Sequence, residues 1–377
     1  MNIQLKAITN CMKTREEWMA FSRACGRVCY TEKDFEMVLQ EEDKSDLVKR
    51  TLDSGHHSVF EHINLTFYMS GIPKILAMML NNERQYASSE KSARYTVMRD
   101  MHPDQQEFYD KWMEKLTPRI AEVYPTMADA SQRSINIKKL AQENARYMTS
   151  VFTPTKMVHT VNLRQLNFLM KELRKYEAEK AQLGNPFEKK VASVIPELLG
   201  QLGEFEIEGL DNQTDRHLSI FQIEEWPDHF ADTYSTSYNL SFAGLAQAQR
   251  HRTIAYNMAV PRDAAFKAFF VPPIVRANGL NEAWITDLGK VAKSDYPQAQ
   301  LVRVRERGLL EDFRSKCILR LCGHAQQEIM VNTLQTARKY AQEVPRVNAW
   351  INPKCMQGMH CSGSCVWKGR RALERIV

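Results

Sequence analysis

Three basic side chains stand side by side at Arg250-His251-Arg252, followed by Thr253. Arginine forks match phosphate and pyrophosphate oxygens in bidentate fashion, so the triplet could hold an anionic nucleotide or cofactor. It would equally suit a helix C-terminus, where the dipole favours cations. A second stretch, RQYASSEKSARY from Arg84 to Tyr95, collects Ser88, Ser89, Glu90, Ser92 and Arg94. Hydroxyls, a carboxylate and a guanidinium so close together can ring a nucleotide. The same composition also makes an ordinary solvated loop. Ser92 has no base evidently paired to it, which favours binding over nucleophilic attack. Arg320 lies in an apolar run with Ile318, Leu319 and Leu321. A charge there is costly unless paired. A structural ion pair or a ligand contact is expected, with His324 four residues on and on the same helix face.

Two further clusters point away from metal. His56, His57 and His62 flank a turn into a strand, without the HxxxH or HExxH spacing that puts ligands on one helix face. Cys355, Cys361 and Cys365, with His360, lack the paired CxxC spacing of a zinc site. Free thiols are expected for them, and core positions for Cys25 and Cys29.

The elements that must position these groups come next. Residues 15–28 and 46–52 read as helices. His62 to Ser70 alternates, with Ile63, Leu65, Phe67 and Met69 on one side, which is the period of a half-buried strand. Gly71 and Pro73 punctuate it, and Pro73 is placed to open a helix to about Asn82. The order recurs later. Thr233 to Phe242 alternates, Gly244 punctuates, and Leu245 to Gln249 leads into the basic triplet. Arg84 and Arg252 fall at the same step, 168 residues apart. A repeat of that length means duplicated domains. Long helices are expected over 104–147 and 155–180, then over 281–293 and 301–342. Two strands are expected at 205–208 and 218–223, around a turn at Asp211-Asn212-Gln213. The division expected is a first copy over 1–203, a second over 204–350 and a cysteine-containing tail over 351–377.

Composition narrows the class. Of 377 residues 44% are hydrophobic and 25% charged, the balance of a globular protein. No apolar run approaches the roughly 18 residues that span a bilayer. The opening MNIQLKAITN has no signal-peptide pattern, so a cytoplasmic location is expected. A net charge of +6 suits anionic partners. A dense basic run interleaved with aromatics, the usual mark of nucleic-acid binding, is missing, which favours small phosphorylated ligands.

Taken together, these motifs resemble the flavin-dependent thymidylate synthases. That family carries HxxxFEH, a strand, a helix ending in Gln-x-x-Arg-His-Arg, and Ser-x-Arg-Tyr after seven residues. An Arg, an Asn-x-Arg and Leu-Arg-x-x-x-His-Ala-Gln-x-Glu-Ile follow. The first copy keeps GHHSVFEH, Arg84, Glu90, Ser92, Arg94, Tyr95, Arg146, Asn162 and Arg164. It has Asn82-Glu83 for Arg-His and Met79 for Gln. The second keeps Gln247, Arg250, His251, Arg252 and LRLCGHAQQEI. There Met258 and Val260 replace Glu90 and Ser92, Lys293 replaces Arg146, and Leu309 and Glu311 replace Asn162 and Arg164, while Arg262 still matches Arg94. The losses are complementary, as in a fused pair that keeps one composite site and loses its mirror image.

The resemblance implies an α+β fold of tandem domains, each a small antiparallel sheet packed with long helices. It implies reductive methylation of dUMP to dTMP with methylenetetrahydrofolate, NADPH and FAD. Arg320 would be catalytic, stabilising charge on the uracil. Gln247, Arg250, Glu90, Ser92, Arg94 and Arg146 would bind dUMP. His56, Ser58, Arg84, Glu90, Asn162, Arg164, Arg250, His251 and Arg252 would contact FAD. No metal is implied, and two copies per chain suggest a homodimer imitating a tetramer. Two rivals stay open. One is a same-fold enzyme modifying another pyrimidine nucleotide, for instance by hydroxymethylation. The other is a non-catalytic nucleotide- or RNA-binding relative, which would bind no flavin.

Overall fold

In a computed structural model the chain forms two compact units, neither of which is a contiguous segment. The structure describes residues 1–41, 46–98, 100–130, 135–210, 216–224, 226–261, 268–362, 365–367 and 369–377, with the backbone alone for 128–130. The first unit is Met1–Lys91 with Thr155–Leu218, and the second is Ser92–Pro154 with Ser219–Val377. The compact units therefore depart from a split at 203, because 92–154 fold with the later residues. Nor do residues 351–377 stand apart as a tail, since Trp367, Ala372 and Val377 are buried in the second unit's core.

The first unit holds strands β1 (Asn2–Ile8), β2 (Asn64–Pro73), β3 (Tyr86–Glu90) and β4 (Pro154–Asn162), in the order β1-β2-β4-β3. β2 buries Leu65, Phe67 and Met69 on one face, as its alternation predicts. Helix Lys74–Leu80 follows β2, and helix Leu163–Leu183 follows β4. Helix Arg15–Arg27 starts at a capping box. Thr14 Oγ1 accepts from the Glu17 amide, and Glu17 returns a carboxylate to the Thr14 amide.

The second unit repeats the plan with β5 (His229–Phe230), β6 (Thr233–Ser241), β7 (Ala255–Met258) and β8 (Leu301–Leu309), in the order β5-β6-β8-β7. Helix Phe242–Ala248 follows β6 and helix Leu310–Arg320 follows β8. It also contains helices from both halves of the sequence: Pro103–Val123 and Ile137–Ala145 with Pro273–Ala277 and Asn281–Val291. Trp112 and Trp284, both fully buried, meet edge to face at 4.7 Å. Trp112 Nε1 donates to Asp287 Oδ2 at 3.0 Å. These amphipathic helices bury their apolar stripes against one another, which draws 92–154 into this unit.

Several expected elements differ. Residues 155–162 and 301–309 are strands running straight into helices, rather than helix throughout. Both alternate, with Thr155, Met157, His159 and Val161 buried in one and Val302 and Val304 in the other. The strands expected at 205–208 and 218–223 are irregular chain with short 3-10 turns, Gly203–Phe205 and Ser219–Phe221. Phe205 there is a plug, stacked on Trp18 at 5.9 Å and set edge-on to Phe67 at 5.1 Å. β3 and β7 occupy stretches read as loop. The turn expected at 211–213 and the Arg262 match lie outside the described residues.

Candidate nucleotide site

The second unit brings together eight of the expected site residues, from both sets of motifs. Ser92, Arg94 and Arg146 come from one set, and Gln247, Arg250, His251, Arg252 and Arg320 from the other. The triplet follows helix Phe242–Ala248, so the helix-terminus reading of the sequence holds for its position. Ser241 caps that helix, its Oγ accepting from the Gly244 amide at 3.0 Å. Arg250 and Arg252 are exposed, while His251 between them is buried.

Arg320 ends helix Leu310–Arg320 and turns back to the triplet. Its Nε donates to His251 Nε2 at 2.7 Å, and its Nη2 to the Gln247 carbonyl at 3.3 Å. His251 must therefore be neutral, with its proton on Nδ1. Burial, with Arg320 and Lys316 beside it, pushes its pKa down to about 2. The burial of Arg320 pulls its own pKa down to about 10, helped by the charges of Arg94 and Arg250. Its mutual repulsion with those two guanidiniums means that the three cations share one neighbourhood.

Arg94 is the most strongly tethered of them. It pairs with Glu143, and its Nη2 donates to the His324 carbonyl at 2.9 Å. Burial opposes its charge, but Glu143, with Tyr95 and Tyr147, more than offsets this and raises its pKa. Arg146 is 7% exposed, and burial lowers its pKa. Its Nη2 donates to Gln326 Oε1 at 2.5 Å. Behind it Gln326 donates to the Tyr147 hydroxyl, which donates to Glu328 Oε2 at 2.7 Å. Glu328 also takes Ser241 Oγ at 2.6 Å and the Ser241 amide at 2.8 Å. Burial raises its pKa in spite of these donors. Gly244 is required beside it, because a Cβ there would lie 2.7 Å from Leu240 Cγ and 3.0 Å from Glu328 Cδ.

This arrangement leaves two open accounts. Gln247 Oε1 is buried without a hydrogen-bond partner, and such atoms are rare unless a ligand or water serves them. The charge of Arg320 is met by an imidazole and a carbonyl rather than by a carboxylate. A doubly charged phosphate beside an amide-bearing ring would settle both.

Glu143, Tyr147, Gln326, Glu328 and Ser241 were not singled out from sequence. Gln326 and Glu328 sit within the HAQQEI run and Tyr147 beside Arg146, so the motifs contained them without revealing that they join.

The remaining expected residues lie in the first unit. Glu90, at the end of β3, pairs with Lys74 at 2.5 Å and accepts from Asn81 at 3.3 Å, so its oxygens are held internally. Asn162 caps helix Leu163–Leu183 through Gln165. Arg164 pairs with Glu61 at 2.7 Å. His56, Ser58 and Arg84 are exposed. A cavity of about 890 Å³ in this unit is lined by Arg15, Met19, Arg23, Lys49 and Leu52 among others, and by none of the expected residues. Among the described residues no group of three or more His, Cys, Asp or Glu is placed to hold a metal ion, and no helix is long and apolar enough to cross a membrane.

The model of a family described as "Thymidylate synthase complementing protein" matches residues 12–197. Over those residues the chain resembles this family. It is 26% identical over 148 residues to the flavin-dependent thymidylate synthase of Pyrococcus abyssi, covering 36% of this chain and 57% of that protein. It is 31% identical over 140 residues to the enzyme of Pseudothermotoga lettingae, covering 35% and 62%. The match thus spans little more than half the length of these relatives. Among solved structures it is similar to a thymidylate synthase X from Helicobacter pylori with FAD and dUMP. That likeness is 17% identical with a TM-score of 0.32, over 56% of this chain and 96% of that one. The family match ends before the basic triplet and Arg320. Those residues share the second unit with Ser92, Arg94 and Arg146.

Proposed function

We propose that this chain is a flavin-dependent thymidylate synthase that converts dUMP to dTMP with methylenetetrahydrofolate and NADPH. One observation carries the reading. Arg94 and Arg146 from the first motif set fold into one unit with Gln247, Arg250 and Arg320 from the second. In this reading Arg94, Arg146, Arg250 and Ser92 hold the phosphate. Gln247 offers its unpartnered oxygen to the uracil edge. Arg320, braced by His251, stabilises negative charge as the ring is activated. FAD, when bound, would carry hydride from NADPH toward the pyrimidine or its one-carbon adduct. The donor chemistry of the first unit suits such a polyanion, since His56, Ser58 and Arg84 are exposed and Arg164 is half-buried. Asn162 and Glu90 would support that set. We further propose two diverged copies per chain and a homodimer, which light scattering would report as twice 43.7 kDa.

The test is an absorbance spectrum of the purified protein, then NADPH oxidation and product analysis with dUMP or dCMP. A yellow protein whose NADPH oxidation is accelerated by dUMP, with dTMP as product, is expected. A colourless protein, or a product from dCMP alone, would overturn the proposal.

A further inference from the structure

Residues 365–377 return to the turn that carries the site. Trp367 packs edge to face on Tyr124 at 5.8 Å, and the Ile376 amide donates to the Tyr124 hydroxyl at 3.1 Å. Ala372 and Val377 are each 1% exposed. From this anchored segment Arg375 reaches the turn between Arg320 and helix Gln327–Glu343. Its Nη1 donates to the Gly323 carbonyl at 2.8 Å, and its Nη2 to the Ala325 carbonyl. Its Cζ lies 4.8 Å from the Trp367 ring centre. The turn is tightly seated, since a Cβ on Gly323 would come within 2.4 Å of Cys365 Sγ.

A guanidinium presents its N–H groups in a rigid plane. Gripping the carbonyls of Gly323 and Ala325 together fixes the two peptide planes that flank His324 and Gln326. Those are the two residues that hold the phosphate arginines. The His324 carbonyl accepts from Arg94, and Gln326 Oε1 accepts from Arg146. Arg375 is 4% exposed, and burial lowers its pKa, a cost that the charge of Glu143 offsets only in part.

We propose that Arg375 is a positioning residue for nucleotide binding: it holds the 321–326 turn so that Arg94 and Arg146 are set for the phosphate of dUMP. The ligand rests on the function proposed above, while the bracing of the turn does not. Arg375→Lys keeps the charge but cannot grip both carbonyls in one plane. Misplacing a binding group by around 1 Å can cost on the order of 100-fold. Flavin-loaded Arg375→Lys should therefore bind dUMP about 10- to 100-fold more weakly by calorimetry. Its KM for dUMP should rise, its flavin content and dUMP-independent NADPH oxidation should hold, and amides 323–326 should exchange faster.

Tyr124→Phe is the control, since it removes the acceptor of the Ile376 amide and so loosens the segment, but leaves Trp367 and both carbonyl contacts. It should lower Tm and leave dUMP affinity within about twofold. Arg375→Gln should behave like Arg375→Lys, and if it fails to fold, the lysine variant carries the test. Unchanged dUMP affinity in Arg375→Lys, or an equal loss in Tyr124→Phe, overturns the proposal. Unchanged exchange at 323–326 overturns the bracing itself. If the wild-type protein binds no dUMP, the proposed function and the ligand assignment fail together, while the exchange result still judges the bracing.

Discussion

Acidification from pH 7 to pH 5 should destabilise the second unit through His251, by an amount set by its burial. In the folded protein its pKa is depressed to about 2 by burial and by Arg320 and Lys316. In the unfolded chain it should titrate near the ordinary histidine value of about 6.5. Below that value the unfolded state takes a proton that the folded state refuses, so stability is intact above about pH 6.5 and falls as the pH drops. At pH 5 the penalty is about 2 kcal/mol, rising to about 3 kcal/mol at pH 4. The pH 5 figure depends almost wholly on the unfolded value, because the folded one lies so far below. His251→Gln offers Arg320 another acceptor but cannot titrate. The assay is urea unfolding at pH 7 and pH 5, followed by amide exchange in helix Gln327–Glu343. The stability lost between the two pH values should be about 2 kcal/mol smaller in the variant. An equal loss in both proteins would refute a neutral, buried His251.

Arg320→Ala should abolish dTMP formation while largely sparing FAD binding, read by turnover and by flavin absorbance in one preparation. Unchanged turnover would remove Arg320 from the chemistry. Trp112→Ala should cost about 3–5 kcal/mol in urea unfolding, because it opens a cavity beside Trp284 and leaves Asp287 without its indole donor. A loss below about 1 kcal/mol would mean that the shared helical core is not formed as described.

The sequence exposed the parts of this molecule more clearly than their assembly. β2 and β6 were legible because their alternation ends at a glycine or proline. β4 and β8 were not, because each runs into its helix with no breaking residue between. Asn162 is a strand end and a helix cap at once, and Leu309 likewise passes from strand to helix. The basic triplet and Arg320 could be named as site residues from their motifs. That Arg320 rests on His251 could not, since local spacing carries no information about a partner 69 positions away. The membership of 92–154 in the second unit was equally hidden. An apolar stripe declares that a helix must be covered, not which helix covers it. Arg375 offered no signal at all, being one of several basic residues near the end of the sequence.

The interleaving of the second unit also has a consequence during synthesis. Trp112 must wait for Asp287, 175 residues later, before its indole proton has an acceptor. At roughly 5–20 residues per second, that wait is roughly 10–35 s on the ribosome. Throughout it the stripe of Trp112, Leu116 and Ile120 on helix Pro103–Val123 has no finished core to enter, although β4 and the helix after it are already emerging. The nascent chain should therefore be a client for chaperones that shield apolar helices. Slowing translation across 155–287 should cut the soluble yield more than slowing it after residue 300.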